Sequence, residues 1–284
     1  MSAPTIGLFL YNVHIAADPA VAAAVAVRAE ELGYDSLWAG EHVVVPRPRV
    51  APSPMEPDET ILDPLVLLAH LAARTSRVRL GTGVIVLPQR HPLVLAKQLA
   101  SLDVVSGGRL IVGIGAGYLE PELAALGVPM DERGARTDEY LAAMRALWTS
   151  EAPAFEGRHV RFAGVDAHPR PVQRPLPVVV GGGAPAAHRR ATRAADGWYG
   201  YLLSPEATAA QVAALRKAEA DAGRERPLHI SVTPERRLDA ATVRAYAGAG
   251  ADRLIVAPRP QADGPALLRL LDRNAPAALA AAAR

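Results

Sequence analysis

Two consecutive side chains, those of Glu41 and His42, are of the types that move protons near neutral pH. A histidine with an ordinary pKa of about 6.5 can both accept and give up a proton under physiological conditions. The pair follows the short apolar run Ser36–Ala39, which has the composition of a buried strand. Because successive side chains on a strand point to opposite sides, the two are not expected to form one acid–base dyad. We expect His42 to transfer the proton, with Glu41 as the alternative; a structural His42 that orders the next loop is the competing interpretation.

Glycines cluster at three other places along the chain. Gly81 and Gly83 interrupt the apolar run 78–87, three glycines alternate in 113–117, and three follow one another in 181–183. A glycine inside a strand usually marks a bulge or a close approach of the backbone to a ligand. The spacing in 113–117 is Gly-x-Gly-x-Gly, and no helix is expected directly after it, so a dinucleotide-binding fingerprint is a weak interpretation. Close approach of a flat or phosphorylated ligand to the backbone is favoured there.

The glycines 181–183 differ from the others because Ala184 and Pro185 follow them, and proline suits the first turn of a helix. Backbone N–H groups at a helix N-terminus attract anions, and a glycine-rich turn leaves them open to a ligand. A tight turn with positive φ would need only one glycine. We therefore expect the phosphate group of a ligand to bind at this turn.

Composition excludes several kinds of site. The chain has no cysteine, which excludes thiolate nucleophiles, thiolate metal sites and disulfides. Its eight histidines show neither His-x-x-x-His nor His-Glu-x-x-His spacing, so no metal site is predicted. The Gly-x-Ser-x-Gly motif of serine hydrolases is also missing.

Charge and hydropathy restrict the partners. With 31 Lys and Arg against 29 Asp and Glu, and no long run of like charge, no nucleic-acid partner is expected. No apolar stretch reaches the length of about 18 residues that a membrane span needs, and the N-terminus lacks the charged start of a signal peptide. We expect a soluble, cytoplasmic protein that acts on a small-molecule substrate.

The segments that must position these residues alternate between short apolar runs and longer helical patterns. Eight strands, apolar on both faces as in a parallel sheet covered by helices, are predicted at 6–11, 36–39, 78–87, 110–114, 177–180, 197–202, 228–232 and 253–257. Eight helices are predicted at 19–32, 64–75, 92–105, 134–148, 185–195, 205–222, 240–248 and 264–272. This α/β pattern is typical of a (β/α)8 TIM barrel, and we expect one domain over residues 1–284. An open doubly wound sheet would more usually carry a Gly-rich turn after the first strand, where this chain has Asn12.

Two segments interrupt the alternation. Residues 43–62 follow the second strand and carry five prolines without a helical pattern, which predicts a long loop and a candidate lid. Residues 151–176 follow the fourth helix and contain Phe155–Phe162, which predicts a small hairpin that turns about Glu156 and Gly157. In a barrel, loops after strands lie on the catalytic face and loops after helices on the opposite face. We expect the first segment beside the active site, and the second to cover an edge or to contact another subunit.

Several motifs of the chain occur together and in order in a known family. They are Leu37-Trp-Ala-Gly-Glu-His42, Thr82-Gly-Val-Ile-Val-Leu-Pro-Gln-Arg-His-Pro92, Ala96-Lys-Gln-Leu-Ala-Ser-Leu-Asp103, Ser106-Gly-Gly-Arg-Leu110, Gly113-Ile-Gly-Ala-Gly-Tyr118, Leu126-Gly-Val-Pro129, Arg136-Thr-Asp-Glu-Tyr140 and Asp196-Gly-Trp198. In these motifs the chain resembles the luciferase-like monooxygenase family, and within it the branch that uses the deazaflavin coenzyme F420. The resemblance is dense over residues 6–200 and looser in the last strands.

The resemblance implies a barrel with the tricyclic ring of the cofactor in its mouth. It implies a non-prolyl cis peptide bond at Gly83–Val84, which backs the ring, and a phosphate loop at Gly181–Ala184. The family's histidine or acid falls on Glu41 and His42. The residues expected to contact the cofactor are Asn12, Thr82, Gly83, Val84, Gly117, Tyr118, Gly181, Gly182, Gly183 and Ala184, with Glu122 a short way downstream.

The resemblance also implies the activity. We expect a coenzyme F420-dependent oxidoreductase that transfers a hydride between the deazaflavin and a small organic substrate, with His42 as a proton relay. Sugar phosphate is not favoured as the substrate, because the sugar-phosphate dehydrogenases of this branch carry a glutamate where Tyr118 stands and a cluster of lysines that this chain lacks. An FMN-dependent luciferase-like monooxygenase is the first alternative. A barrel that only binds the cofactor is the second, against which the presence of His42 argues. Helix faces rich in Ala and Leu, together with the resemblance, predict a homodimer.

Overall fold

Parallel strands close into a barrel. The computed structural model describes residues 3–9, 12–258 and 263–281. Its strands are β1 (Thr5–Phe9), β2 (Ser36–Ala39), β3 (Arg79–Thr82), β4 (Ile85–Val86), β5 (Leu110–Gly115), β6 (Phe155–Glu156), β7 (Arg161–Phe162), β8 (Val178–Gly181), β9 (Gly197–Leu203), β10 (His229–Pro234) and β11 (Arg253–Val256). The barrel order is β3-β2-β1-β11-β10-β9-β8-β5-β4, and pairing of β3 with β5 closes the ring. Because β3 and β4 together occupy one strand position, the barrel has eight strand positions with helices between them. This confirms the predicted (β/α)8 fold.

The helices cover the outside of the barrel. They are α1 (Pro19–Glu31), α2 (Pro64–Ala72), α3 (Pro92–Val105), α4 (Glu120–Ala125), α5 (Arg133–Thr149), α6 (Pro185–Ala194), α7 (Pro205–Asp221), α8 (Ala240–Gly248), α9 (Gly264–Asn274) and α10 (Pro276–Ala281). Helices α1 and α2 begin in the same way. The carboxylates of Asp18 and Asp63 accept the first free backbone N–H groups of the helix, and a proline follows each aspartate. Within the described ranges, no helix is both long and apolar enough to cross a membrane.

Alternate side chains of the strands face the barrel interior or the helices. Leu8 of β1 and Leu37 of β2 are register partners and pack in the outer layer, between the strands and the helices. Trp38 belongs to the interior layer, where its ring stacks on that of Tyr199 with 5.7 Å between centroids. The rest of this interior layer is formed by Phe9, Ile111, Val179 and Ile255. The barrel is therefore filled with side chains below its mouth, and a ligand must bind above this layer.

The boundaries of the elements agree closely with the sequence prediction. Every predicted strand is present with its ends within two residues wherever those ends are described; residues 10 and 11, the predicted end of the first strand, lie outside the described residues. The run 78–87 is divided at Gly83–Val84. The peptide bond between these two residues is cis, as the resemblance implies. Helix α2 ends at Ala72 rather than at Thr75, and the Thr75 hydroxyl donates to the Leu71 carbonyl at 2.8 Å in place of a helical N–H.

Two helices, α4 and α10, have no counterpart among the eight predicted helices. No helix was expected directly after the glycines 113–117, but α4 begins at Glu120. Pro121 occupies its first turn, and Glu120 and Glu122 flank it where the helix dipole favours negative charge. A proline with acidic neighbours is typical of a helix start, so the signal was present in the sequence.

The two irregular segments lie where they were predicted. Residues 43–62 hold no helix or strand, apart from one bridge between Val13 and Ile61. Residues 151–176 include the antiparallel pair β6 and β7, and the turn between them spans 157–160 rather than centring on Glu156 and Gly157. The turn lies later because the Glu139 carboxylate of α5 accepts the backbone N–H groups of residues 158–160.

Candidate active site at the barrel mouth

Three side chains meet at the carboxyl end of the barrel, where the loops after β2 and β5 come together. The Nδ1 atom of His42 lies 2.8 Å from a carboxylate oxygen of Glu122, and its Nε2 atom lies 3.2 Å from the Tyr118 hydroxyl. The other carboxylate oxygen of Glu122 accepts the backbone N–H of Val43 at 2.6 Å. Each residue of this Glu122–His42–Tyr118 group was noted in the sequence, but their mutual contact was not predicted.

Glu122 determines which nitrogen of His42 faces the mouth. The glutamate is only 2% exposed, and an ionised carboxylate can only accept hydrogen bonds. Nδ1 of His42 therefore donates to Glu122, which leaves Nε2 directed at Tyr118. In this orientation Nε2 is the atom that can take up or release a proton toward a ligand.

Tyr118 forms the outer end of the group. It is 50% exposed, and its ring stands perpendicular to the His42 ring with 5.9 Å between centroids. Burial of the rest of its surface, together with the nearby Glu122 charge, raises the pKa of Tyr118 above its ordinary value. The phenol therefore stays protonated at neutral pH and can donate a hydrogen bond to His42 or to a ligand.

Glu41 is held by a different set of partners. Its carboxylate accepts from Nε of Arg90 and from the backbone N–H of Val86, both at 2.7 Å, and Arg90 also pairs with Asp63. Burial raises the pKa of Glu41, and the Arg90 guanidinium acts in the opposite direction. Glu41 connects the end of β2 to β4 and, through Arg90 and Asp63, to the start of α2, and its hydrogen bonds within the described residues do not include the His42 side chain. This agrees with the alternation expected along the strand.

Asn12 and Thr82 are buried and hydrogen-bonded within the protein. Asn12 is 1% exposed: its Nδ2 donates to the carbonyls of Gly40 and Leu62, and its Oδ1 accepts from the Gly40 N–H at 3.0 Å. The Thr82 hydroxyl donates to the Gly113 carbonyl at 2.7 Å and accepts from the Gly113 N–H at 2.8 Å. Both side chains thus join neighbouring segments at the carboxyl end of the barrel.

The glycines of β5 are required by packing within the barrel. A Cβ on Gly113 would lie 1.9 Å from the carbonyl oxygen of Thr82, and a Cβ on Gly115 would lie 2.9 Å from a methyl of Val84. Val84 also lies 3.0 Å from the Cβ position of Gly181. The space expected for a flat ligand beside these glycines is therefore taken up by Thr82 and Val84. Gly113 and Gly115 were expected to allow a ligand close to the backbone of β5. In the structure they instead allow Thr82 and Val84 to pack against it.

The residues between β5 and α4 and those of the cis bond border the mouth. Gly83 and Val84 are partly exposed there. Gly117 has φ +84°, which favours glycine, and its carbonyl accepts from Nε of Arg133 at 3.2 Å. Arg133 was not among the sequence-based candidates; it holds the loop that carries Tyr118.

The turn after β8 leaves backbone amides exposed at the N-terminus of α6. Gly182, Gly183 and Ala184 are all exposed. Gly182 has φ +112°, and its N–H donates to the Tyr199 carbonyl at 3.3 Å. Within the described part of the chain, the N–H groups of Gly183 and Ala184 reach no acceptor. Two open amides at the start of a ten-residue helix form a place suited to a phosphate.

Another cavity lies next to the amino ends of β8 and β9, away from the mouth. It has a volume of about 920 Å³ and is bordered by residues of α5 and of the segment 151–176, among them Arg145, Arg170 and Arg174. None of the residues placed at the mouth lines it, so it is separate from the mouth. In residues 3–9, 12–258 and 263–281, no three His, Asp or Glu side chains are grouped closely enough to hold a metal ion.

Comparison with known proteins identifies the family of the chain. The luciferase-like monooxygenase family model matches residues 6–282. An uncharacterised protein of Mycobacterium tuberculosis is 39% identical over 201 residues, which are 68% of this chain and 70% of that protein. An F420-dependent glucose-6-phosphate dehydrogenase of Intrasporangium calvum is 38% identical over 178 residues, which are 61% of this chain and 51% of that protein. The structure of the monooxygenase RslO1 from Streptomyces bottropensis matches with a TM-score of 0.77 and 28% identity, over 94% of this chain and 96% of that chain. The chain, with its barrel and its histidine at the mouth, therefore belongs to the luciferase-like monooxygenase family.

Proposed function

We propose that this protein is a coenzyme F420-dependent oxidoreductase that transfers a hydride between the deazaflavin and a small organic substrate. The observation that carries the proposal is the Glu122–His42–Tyr118 group, because hydride transfer at a carbon–oxygen group requires a partner that moves one proton. The F420-dependent relative of Intrasporangium calvum, at 38% identity, supports the choice of cofactor.

The mouth offers a fit for the two parts of the cofactor. The open amides of Gly183 and Ala184 would hold a phosphate, and Gly83 and Val84 would form the wall behind the ring. When bound, the deazaflavin supplies the hydride chemistry that side chains lack.

The residues of the chain supply position and a proton. His42 holds a proton at Nε2 or accepts one there, and Glu122 keeps the imidazole ring in place. Tyr118 donates a hydrogen bond from the outer side, so that a substrate oxygen can contact the phenol, the imidazole or both. Glu41, Asn12 and Thr82 hold the surrounding backbone.

Oxygenation with FMN is the second candidate, because the matching structure RslO1 is a monooxygenase. A flavin monooxygenase must exclude water from its reacting centre, which requires a closed and dry pocket. Here Val43 and Val44, directly after His42, are 45% and 43% exposed. An open mouth supports hydride transfer over oxygenation.

Titration of the purified protein with coenzyme F420 and with FMN separates the two candidates. We expect F420 to bind at least about tenfold more tightly, a difference of about 1.4 kcal/mol. We also expect that oxidation or reduction of F420 with a panel of alcohols and ketones continues in an anaerobic cuvette. Tighter binding of FMN, with turnover strictly dependent on oxygen, would reject the proposal in favour of the monooxygenase.

Glu122→Gln is expected to reduce kcat by about ten- to hundredfold, which corresponds to the free-energy contribution of one charge-assisted hydrogen bond. The amide keeps the shape of the side chain, but a neutral acceptor binds the His42 N–H less strongly than a carboxylate does, so KM should change less than kcat. Glu120→Gln, an exposed change in the same helix turn, is the matched control and should leave both kcat and KM unchanged. Equal effects of the two variants, or a rise in KM as large as the fall in kcat in Glu122→Gln, would show that Glu122 only supports the fold.

A further inference from the structure

The face of the barrel opposite to the mouth carries the cavity beside the amino ends of β8 and β9. The end of α5 and the segment between residues 166 and 176, which leads into β8, form most of its wall. Its volume of about 920 Å³ lies within the range of small-molecule binding sites. Every residue that lines it belongs to the described range 12–258. The loops on this face of a (β/α)8 barrel ordinarily serve stability, so the active site does not explain a cavity of this size here.

One wall of the cavity is apolar and rigid. The Trp148 side chain is held in place because its Nε1 donates to the Ala96 carbonyl at 3.1 Å. Leu176 is buried, and Pro171 and Pro175 complete this wall. A fixed aromatic ring beside prolines loses little conformational freedom when a ligand packs against it. This wall therefore suits an apolar group of a ligand.

Three arginines line the cavity and bring N–H donors to it. The Arg170 guanidinium is held in place, because its Nη2 donates to the Ser150 carbonyl at 2.9 Å and to the Asp166 carboxylate at 2.6 Å. Its Nη1 is buried and reaches no acceptor in the described part of the chain. Arg145 is half-buried and Arg174 is exposed, and neither forms an ion pair or a side-chain hydrogen bond with another described residue. Acceptors are therefore scarce in this wall, and the donors of two arginines are open.

Two of the three acidic side chains that line the cavity are occupied by the protein. Asp166 binds Arg170 and lies 3.2 Å from Nε2 of His168, and Asp196 accepts the backbone N–H at the start of β8 at 2.9 Å. The third acid, Glu151, is exposed and has no ion pair with another described residue. The two arginines with open donors therefore outnumber the acid that is left to pair with them.

We propose that this cavity binds an organic anion in which a carboxylate or phosphate group is attached to an apolar body. The planar guanidinium groups of Arg145 and Arg174 match the oxygens of such a group, and charge-assisted hydrogen bonds are among the strongest that side chains form. The apolar body packs against Trp148 and the two prolines. Binding makes or breaks no covalent bond. Because none of the residues placed at the mouth takes part, this proposal and the proposed function can each fail without the other.

Titration calorimetry of the purified chain tests the ligand class with three naphthalene probes of similar size. 1-Naphthoate carries a carboxylate, 1-naphthyl phosphate carries a phosphate, and 1-naphthalenemethanol is neutral. We expect at least one anion to bind, and to bind about tenfold more tightly than the neutral probe, a difference of about 1.4 kcal/mol. The anion that binds more tightly identifies the anionic group. Equal affinities for all three probes, or no binding of either anion, would overturn the proposal.

Arg145→Gln and Arg174→Gln test whether the anion binds in this cavity. Each should weaken binding of the tighter anion about tenfold and leave binding of the neutral probe unchanged, because glutamine keeps a donor but removes the charge. Thermal unfolding should stay close to that of the wild type, since neither arginine has a recorded partner. Arg244→Gln, a change at an exposed arginine of α8 that does not line the cavity, is the matched control and should bind the anion like the wild type.

Two results with these variants would overturn the proposal. One is an equal loss of anion binding in all three variants, or no loss in either cavity variant, because the anion would then bind elsewhere on the protein. The other is a smaller sedimentation coefficient of both cavity variants, because the cavity would then be a contact between two copies of the chain.

Discussion

Replacement of His42 by glutamine is expected to lower kcat by roughly 10²–10⁴, the usual contribution of a general acid–base group. Glutamine can still donate a hydrogen bond to the buried Glu122 carboxylate, so the partner is not left unpaired, but it cannot take up or release a proton near neutral pH. The affinity for coenzyme F420 and the circular dichroism spectrum should stay close to those of the wild type. Steady-state oxidation or reduction of F420, followed by its absorbance, measures the effect.

Two further variants make this result specific. His70→Ala removes an exposed histidine of α2 whose Nε2 contacts the carbonyl of Pro19, and it should leave kcat unchanged. Glu41→Gln removes the carboxylate that Arg90 and Val86 hold, and it should affect stability more than the pH dependence of the rate. If His42→Gln keeps the full rate while Glu41→Gln loses it, Glu41 is the proton-transfer residue and His42 orders the loop.

Gly183→Asp is expected to weaken the binding of coenzyme F420 by about a hundredfold, a loss of about 2.7 kcal/mol. The new carboxylate would stand at the open amides of Gly183 and Ala184, where it repels a phosphate and competes for the same N–H groups. Gly183 has no positive φ, and the nearest atom to its Cβ position is Nε2 of Gln211 at 3.2 Å, the far end of a flexible side chain. The fold should therefore accept the change, which the strained Gly182 would not.

Gly183→Asn is the matched control for this experiment. It has the same shape as the aspartate without the charge, so it should weaken F420 binding far less than Gly183→Asp. Fluorescence titration of both variants, with their thermal unfolding as a check of the fold, gives the comparison. Equal affinities for the two variants and the wild type would mean that the phosphate binds elsewhere on the mouth.

Sequence patterns alone predicted the barrel with good accuracy. Helix α3 begins and ends at Pro92 and Val105 as predicted, and β2 occupies Ser36–Ala39 as predicted. These predictions depend on local chemistry: a proline suits the first helical turn, and a run that is apolar on both faces suits a covered parallel strand. The short helix α4 was missed because its six residues bury few apolar side chains, which leaves hardly any periodicity to detect.

The candidate site was only partly determined by the sequence. The sequence predicted that Glu41 and His42 follow the end of a strand and that their side chains point to opposite sides of it. The family motifs predicted the cis peptide bond at Gly83–Val84. The contact of His42 with Glu122 joins residues that are 80 positions apart, and it exists only because α4 brings Glu122 back over the end of β2.

The tertiary structure likewise distinguished two glycine clusters that look alike in the sequence. Those of β5 make room for Thr82 and Val84, whereas Gly183 keeps its amide open. A glycine in the sequence shows only that a side chain is absent. Whether neighbouring protein atoms or a ligand occupy that space depends on how the barrel packs.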